Sequence, residues 1–198
     1  MKSLILIDIQ NDFLPGGALA VPGGDLIVPV VNALMPKFNL VVATQDWHPV
    51  DHGSFAVNHP GAAVYGQGEL DGLPQTFWPV HCVQNTGGAL FAPGLEMRQI
   101  ARVFPKGMNP GIDSYSGFFD NGHRTSTGMA EWLREAGVTE LSVAGLATDY
   151  CVKFTVLDAL REGFEVRVLL EACRGVNLQA GDCARALDEM RAAGAVVE

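Results

Sequence analysis

Four short segments place reactive side chains at the ends of apolar runs. LILID delivers Asp8, VVATQDWH delivers Asp46 and His48, RVFPKG delivers Lys106, and SVAGLATDYC delivers Cys151. A carboxylate, an ammonium and a thiol form a coherent set: the acid can accept the thiol proton, and the cation stabilises the charge on both partners. Taken singly, each has an ordinary reading. Asp8 would cap the NDF turn that follows it, Lys106 would be a solvated strand-end lysine, and Cys151 would be a small buried residue, since free cysteine is among the most buried types. Cys151, however, stands in the first turn of an expected helix. Peptide dipoles and free N–H groups there favour an anion, which predicts a thiol pKa below the usual value of about 8.5. The same N–H groups could hold an oxyanion, and the small residues of GLAT permit close backbone approach. Cys82, Cys173 and Cys183 lack this setting and read as packing residues.

A second constellation lies in DWHPVDH, with Asp46, His48 and His52, and in FWPVHCV, with His81. One hard oxygen and three borderline nitrogens suit a single divalent metal ion, Zn, Mn or Fe, with waters completing the coordination. Any one of these histidines alone would more often just hydrogen-bond. On spacing, Asp51 and Cys82 stand as competing ligands, while His59 and His123 read as surface residues. The aromatics Phe13, Trp78 and Tyr115 are packing residues by default, yet an enclosed planar substrate needs such walls.

The elements that must position these groups follow from hydrophobic pattern. Apolar, β-branched runs predict strands at 3–7, 39–44, 101–104, 140–144, 165–170 and 195–197. Helical spacing or strong helix formers occupy 26–35, 95–100, 129–136, 152–161 and 182–193. After Cys151, the residues Val152, Val156 and Ala159 form an i, i+4, i+7 stripe suited to lying on a sheet. Near-continuous apolar strands alternating with helices predict an α/β sandwich whose parallel sheet is covered on both faces. Ligands in such sheets bind outside the carboxyl ends of the strands, where the four reactive segments fall. Residues 45–93 break the rhythm: dense in Pro, Gly, His and aromatics and without a clear period, they read as a long functional excursion from a single domain spanning 1–198.

The chain's 198 residues, 48% hydrophobic and 18% charged, belong to the ordinary globular range. A formal net charge of -9 and the lack of a Lys/Arg cluster argue against nucleic acid as a partner. No apolar run suggests a signal segment or a bilayer span, and four cysteines without a C-x-x-C pair read as reduced thiols. The expectation is a cytoplasmic enzyme with a small-molecule substrate and no membrane partner, its oligomeric state left open.

The stretches LILIDIQNDFLPGGALAVPGG, QDWHPVDHGSF, DGLPQTFWPVHCVQN, KGMNPGIDSYSGFFDNG and GLATDYCVKFTVLDAL together resemble the isochorismatase-like cysteine hydrolases of the bacterial nicotinamidase type, over residues 4 to about 194. The resemblance implies a three-layer α/β/α sandwich with a mainly parallel six-stranded sheet. It implies hydrolysis of nicotinamide to nicotinate and ammonia, and of pyrazinamide to pyrazinoate, through a cysteine thioester in NAD salvage. By matching motif it implies a triad of Asp8, Lys106 and Cys151, and metal ligands Asp46, His48, His52 and His81. It further implies a cis peptide between Leu146 and Ala147, an oxyanion hole at Ala147 and Cys151, and a pyridine pocket of Phe13, Leu19, Val21, Trp78, Tyr115, Leu146 and Tyr150. Some members carry histidine where this chain has Tyr150, which leaves that side chain's role open. The alternative is a related cysteine amidohydrolase acting on another small amide or carbamoyl substrate. Isochorismatases proper lack the cysteine, and the N-carbamoyl enzymes lack the metal set. A metal- or redox-sensing protein without catalysis is the less favoured third reading, because clustered titratable groups mark catalytic sites.

Overall fold

Along the first strand, side chains alternate between two faces, and both faces are buried. In the computed structural model, which describes residues 1–198, β1 (Lys2–Ile7) sends Leu4 and Leu6 into one core and Ile5 and Ile7 into the other. A strand buried on both sides is what a near-continuous apolar run requires. The chain continues through α1 (Ile27–Leu34), β2 (Leu40–Asp46), a small hairpin of β3 (Gln67–Leu70) and β4 (Leu73–Thr76), and β5 (Arg102–Lys106). It then forms α2 (Met129–Glu135), β6 (Glu140–Leu146), α3 (Lys153–Arg161), β7 (Glu165–Arg174), α4 (Asp182–Ala192) and β8 (Val196–Val197).

The main sheet has the order β5-β2-β1-β6-β7-β8 and is parallel throughout. One face is covered by α1, through Ile27, Val31 and Leu34, together with Trp78, Cys82, Ala89 and Leu95 from the long excursion. The other is covered by α2, α3 and α4, through Met129, Leu133, Val156, Ala159, Ala186 and Met190. This is the three-layer α/β/α sandwich that the sequence predicts. The strand order reverses at β1 and β6, so a crevice opens outside their carboxyl ends. The register sets the depth of that crevice: Ile7 pairs with Gly145, and Asp46 pairs with Lys106.

Three expectations change. Residues 95–100 form only a single 3-10 turn at Met97–Gln99, because Leu95 is the one buried anchor there and Met97, Arg98 and Gln99 are exposed. The excursion holds the β3–β4 hairpin, whose short half-exposed strands show too little alternation to be read from pattern. The helix after β6 opens not as an α-helix but as a π-turn at Thr148–Val152, which carries Cys151.

Gly145 is required where β6 meets β1. Its φ is +133°, and a Cβ there would lie 2.2 Å from the Ile7 carbonyl oxygen, backbone that cannot yield without moving the strand. The variant Gly145→Ala is expected to lose about 3 kcal/mol of stability, with thermal unfolding as the measurement; a melting temperature equal to wild type would contradict the close-approach reading.

Candidate active site

Asp8 directly follows β1, Asp46 ends β2, Lys106 ends β5 and Cys151 sits in the turn after β6, so the four strand ends bring their side chains to one place. At its centre is the Lys106 ammonium, whose side chain is fully buried. Its three protons go to Asp46 Oδ1 (2.5 Å), the Ser114 carbonyl (2.8 Å) and Cys151 Sγ (3.4 Å). Asp8 Oδ2 lies 2.9 Å from the same nitrogen as an ion pair, and nothing beyond Lys106 and Cys151 hydrogen-bonds it. That oxygen therefore keeps a lone pair toward the thiol. Asp8 Oδ1 is fixed by the Thr44 hydroxyl, which donates at 2.6 Å. Asp8 takes φ +46°, a left-handed turn that leads the chain out of the sheet.

Burial, opposed by Lys106 and helped by Asp46, raises Asp8 to about 6. Burial alone would lower Lys106, but Asp46, Asp8 and Cys151 hold it well above the usual range. Burial would raise Asp46, but Lys106 and then His48 keep it well below the usual carboxylate range. Cys151 corrects an expectation: burial pushes its thiol well up, against the pull of Lys106. The resting side chain is a thiol.

A second group adjoins the first. Asp46, His48 and His81 bring ligand atoms within 4.8 Å of one another, and so do His48, His52 and Asp113. His48 Nδ1 donates to the Gly107 carbonyl (2.9 Å) and His81 Nδ1 to the Pro79 carbonyl (2.8 Å), so Nε2 of each is the atom left to face Asp46; burial would lower His48, but Asp46 holds it above the usual imidazole range. The Nε2 atoms lie 3.6 and 3.9 Å from Asp46 Oδ2. Ser54 holds His52 Nδ1 through its backbone N–H, which donates at 3.2 Å, and through its Oγ at 2.7 Å, while His52 Nε2 is buried without a hydrogen-bond partner, the orphaned atom of the cluster. Burial, and next the neighbouring His48, push His52 and His81 down to about 4, so both are neutral bases at neutral pH. This donor set fits a divalent cation. A third set, Asp8, Asp46 and Cys151, already has its cation in Lys106. Asp51 is exposed, and Cys82 packs in the core with its N–H on Asp12 Oδ2. His59 Nε2 donates to the Gly53 carbonyl at 2.6 Å, and His123 lies 2.8 Å from Asp158.

Between Cys151 and the histidines lies a cavity of about 30 Å³, lined by Phe13, Leu19, Trp78, Tyr115, Ala147, Tyr150 and Val176 beside Asp46, His48, His81 and Asp113. Val21 and Leu146 do not line it; both are fully buried in the core under α1. The Leu146–Ala147 peptide is cis, and the Ala147 N–H donates to no backbone oxygen.

Sequence reasoning missed several members. Gln10 clamps Asp46 by accepting its N–H and donating to its carbonyl, both at 2.8 Å. Thr44, Asp113 and Val176 were also missed; only their position near a strand end or in the matching segment could have pointed to them. Asp149, two residues before Cys151, is buried and accepts the N–H groups of Val176 (2.9 Å) and Asn177 (2.7 Å). It thereby ties the loop after β7 to the turn that bears Cys151.

A thiol that can hand its proton to a neighbouring carboxylate beside a fixed ammonium is equipment for nucleophilic acyl transfer, and on this sandwich it defines an α/β/α cysteine hydrolase. A family model described as the isochorismatase domain matches residues 2–198. The nicotinamidase of Escherichia coli (strain K12) is 57% identical across 99% of this chain and 93% of its own length. A solved nicotinamidase/pyrazinamidase structure from Acinetobacter baumanii superposes with a TM-score of 0.96 at 43% identity, covering 99% of this chain and 94% of that one. The pyrazinamidase of Pyrococcus horikoshii, solved in complex with zinc, gives a TM-score of 0.81 at 41% identity over 100% and 98% of the two chains. The chain belongs to the isochorismatase-like cysteine hydrolase family, in its bacterial nicotinamidase/pyrazinamidase branch. No helix is long and apolar enough to cross a membrane.

Asp149→Asn keeps the shape but sets an amide NH₂ against a backbone N–H. It is expected to lose about 1–3 kcal/mol in denaturant unfolding; an unchanged midpoint and slope would show that the two bonds do not hold the loop.

Proposed function

We propose that this chain hydrolyses nicotinamide to nicotinate and ammonia, and pyrazinamide to pyrazinoate, through a thioester on Cys151, as a cytoplasmic enzyme of NAD salvage. The observation that carries the reading is the contact set of Lys106, which joins Cys151 Sγ, Oδ2 of Asp8 and the carboxylate of Asp46 at the floor of an aromatic-walled cavity. The similarity to nicotinamidases across the chain supplies the substrate class.

Asp8, a carboxylate at neutral pH but a stronger base than an exposed one, takes the Cys151 proton as the sulfur attacks the carboxamide carbon. The carbonyl electron pair moves onto oxygen, where the N–H groups of Ala147 and Cys151 receive it. The tetrahedral species collapses, the C–N bond breaks, and Asp8 returns its proton to the departing nitrogen, giving ammonia and the thioester. Water then attacks the thioester carbon while Asp8 takes one of its protons. The second collapse breaks the C–S bond as Asp8 passes that proton to the leaving sulfur, which releases the acid and restores both the thiol and the Asp8 carboxylate. Lys106 stays protonated throughout and stabilises Asp8 and the developing thiolate. Phe13, Leu19, Trp78, Tyr115 and Tyr150 enclose the ring. Asp46, His48, His52 and His81 would hold one divalent cation, which supplies a Lewis-acid anchor for the heteroaromatic nitrogen when bound.

Two measurements test this. Cys151→Ala is expected to release ammonia from nicotinamide at least about 10³-fold more slowly than wild type; full activity in that variant would sink the thioester route. His48→Ala and His81→Ala are expected to keep wild-type circular dichroism, lose bound metal by elemental analysis and bind nicotinamide more weakly. Undiminished metal in both would remove these residues from the ligand set.

A further inference from the structure

The cavity over Cys151, about 30 Å³, has room for little more than a water molecule, whereas small-molecule sites commonly run from about 300 Å³ upward. A wall must give way before an aromatic amide can enter. The base of the cavity cannot yield: Asp46, His48 and His81 are buried and tethered, and Ala147 and Cys151 belong to the nucleophile turn. Of the four aromatic walls, Phe13 is buried in the core against His81, and Trp78 and Tyr115 are pinned to each other. The Tyr115 hydroxyl accepts from Trp78 Nε1 and from Gln75 Nε2, each at 3.2 Å. Gln75 is itself held by Asp113 at 2.9 Å.

Tyr150 is the exception. It is half-buried and meets Trp78 and Tyr115 only edge-on, with ring centroids 4.8 and 5.5 Å away, and its one polar tie runs from the hydroxyl to Thr76 on β4. Its other side faces a much larger cavity of about 570 Å³, whose lining includes Thr76, Lys153, Phe154, Leu178 and Arg185. Tyr150 and Tyr115 are the residues common to both cavities. The larger cavity carries both charge signs, with Lys153 3.2 Å from Glu189 and Arg185 paired with Asp182, so it favours neither an anion nor a cation.

We infer that Tyr150 is a specificity-determining gate: its ring partitions the inner cavity from the outer chamber, and the chamber behind it takes the substituent of a ring-substituted aromatic carboxamide when the ring is trimmed or displaced. This rests on the amide-hydrolase reading above. The gating element is the ring itself, held by apolar edge contacts, and the hydroxyl contributes little to the partition.

The test compares kcat/KM for 5-phenylnicotinamide with that for nicotinamide, using ammonia release. Tyr150→Ala and Tyr150→Leu are expected to raise that ratio at least about tenfold, with the loss on nicotinamide falling mainly in KM. Tyr150→Phe is expected to keep the wild-type ratio within about threefold. An unmoved ratio in both trimmed variants, or a Phe variant that shifts it as far as they do, would overturn the gate. Tyr150→Leu retains bulk at this half-buried position and carries the same expectation should the alanine variant fold poorly. Wild type that releases no ammonia from nicotinamide would overturn the hydrolase reading and the gate together, whereas active wild type with an unmoved ratio would overturn the gate alone.

Discussion

The site depends on one buried cation. The Lys106 ammonium has no access to water, and a charge so placed is tolerated only when paired and hydrogen-bonded. Here the pairing is shared between two carboxylates with different positions in the site. Asp46 accepts a hydrogen bond from it and belongs to the histidine cluster, while Asp8 pairs with it through Oδ2 and keeps a lone pair toward the reacting thiol. Without the ammonium, two carboxylates would face each other in a dry site, and one would be forced to take up a proton. Lys106 thus keeps Asp8 ionised, keeps Asp46 anionic beside the histidines, and reaches Cys151 with its remaining proton.

Such sharing demands positional accuracy, which comes from strand register. Asp46 and Lys106 are direct neighbours across β2 and β5, and β1 and β6 bring Asp8 and the Cys151 turn together at the point where strand order reverses. Parallel strands buried on both faces move little, and so side chains at their ends are fixed to within the reach of a hydrogen bond. The excursion supplies the histidines and the aromatic walls, but it is tied back to the same strand ends. The backbone of His48 donates to the Cys82 carbonyl, Gln10 clamps Asp46 and reaches Ala89, and the Trp47 N–H bonds to the Lys106 carbonyl.

What the sequence made legible was whatever has a period or a motif. Near-continuous apolar runs located all six sheet strands, with β2, β5 and β6 ended two residues and β7 four residues short, and the reactive residues following those runs pointed to Asp8, Asp46, Lys106 and Cys151 as a group. Residues acting through tertiary contact were not legible. Gln10, Thr44 and Asp149 look like ordinary polar loop or strand residues until the fold places Asp46, Asp8 and Val176 against them. The β3–β4 hairpin was invisible because its strands are four residues each and pack little apolar surface. The expected helix at 95–100 failed for the converse reason: its residues favour helix, but nothing offers a second turn of that face a place to be buried.

The state of the Cys151 thiol shows how competing effects are ranked by size. A helix terminus stabilises an adjacent anion by about 0.3–1 kcal/mol, and up to about 2 in buried geometries. Withdrawing an anion from water costs several kcal/mol unless partners replace the lost solvation. At Cys151 the nearest partners are one ammonium, already divided between two carboxylates, and Asp8, whose negative charge opposes a second anion beside it. Burial therefore wins, and the thiol keeps its proton until Asp8 can take it. Once that transfer occurs, Asp8 is neutral and the Lys106 ammonium is left to the thiolate and Asp46, so the partner that opposed the anion has vanished in the act of forming it. The same seclusion that raises the resting thiol thus ties its ionisation to the bond-forming step and spares a standing thiolate from oxidation.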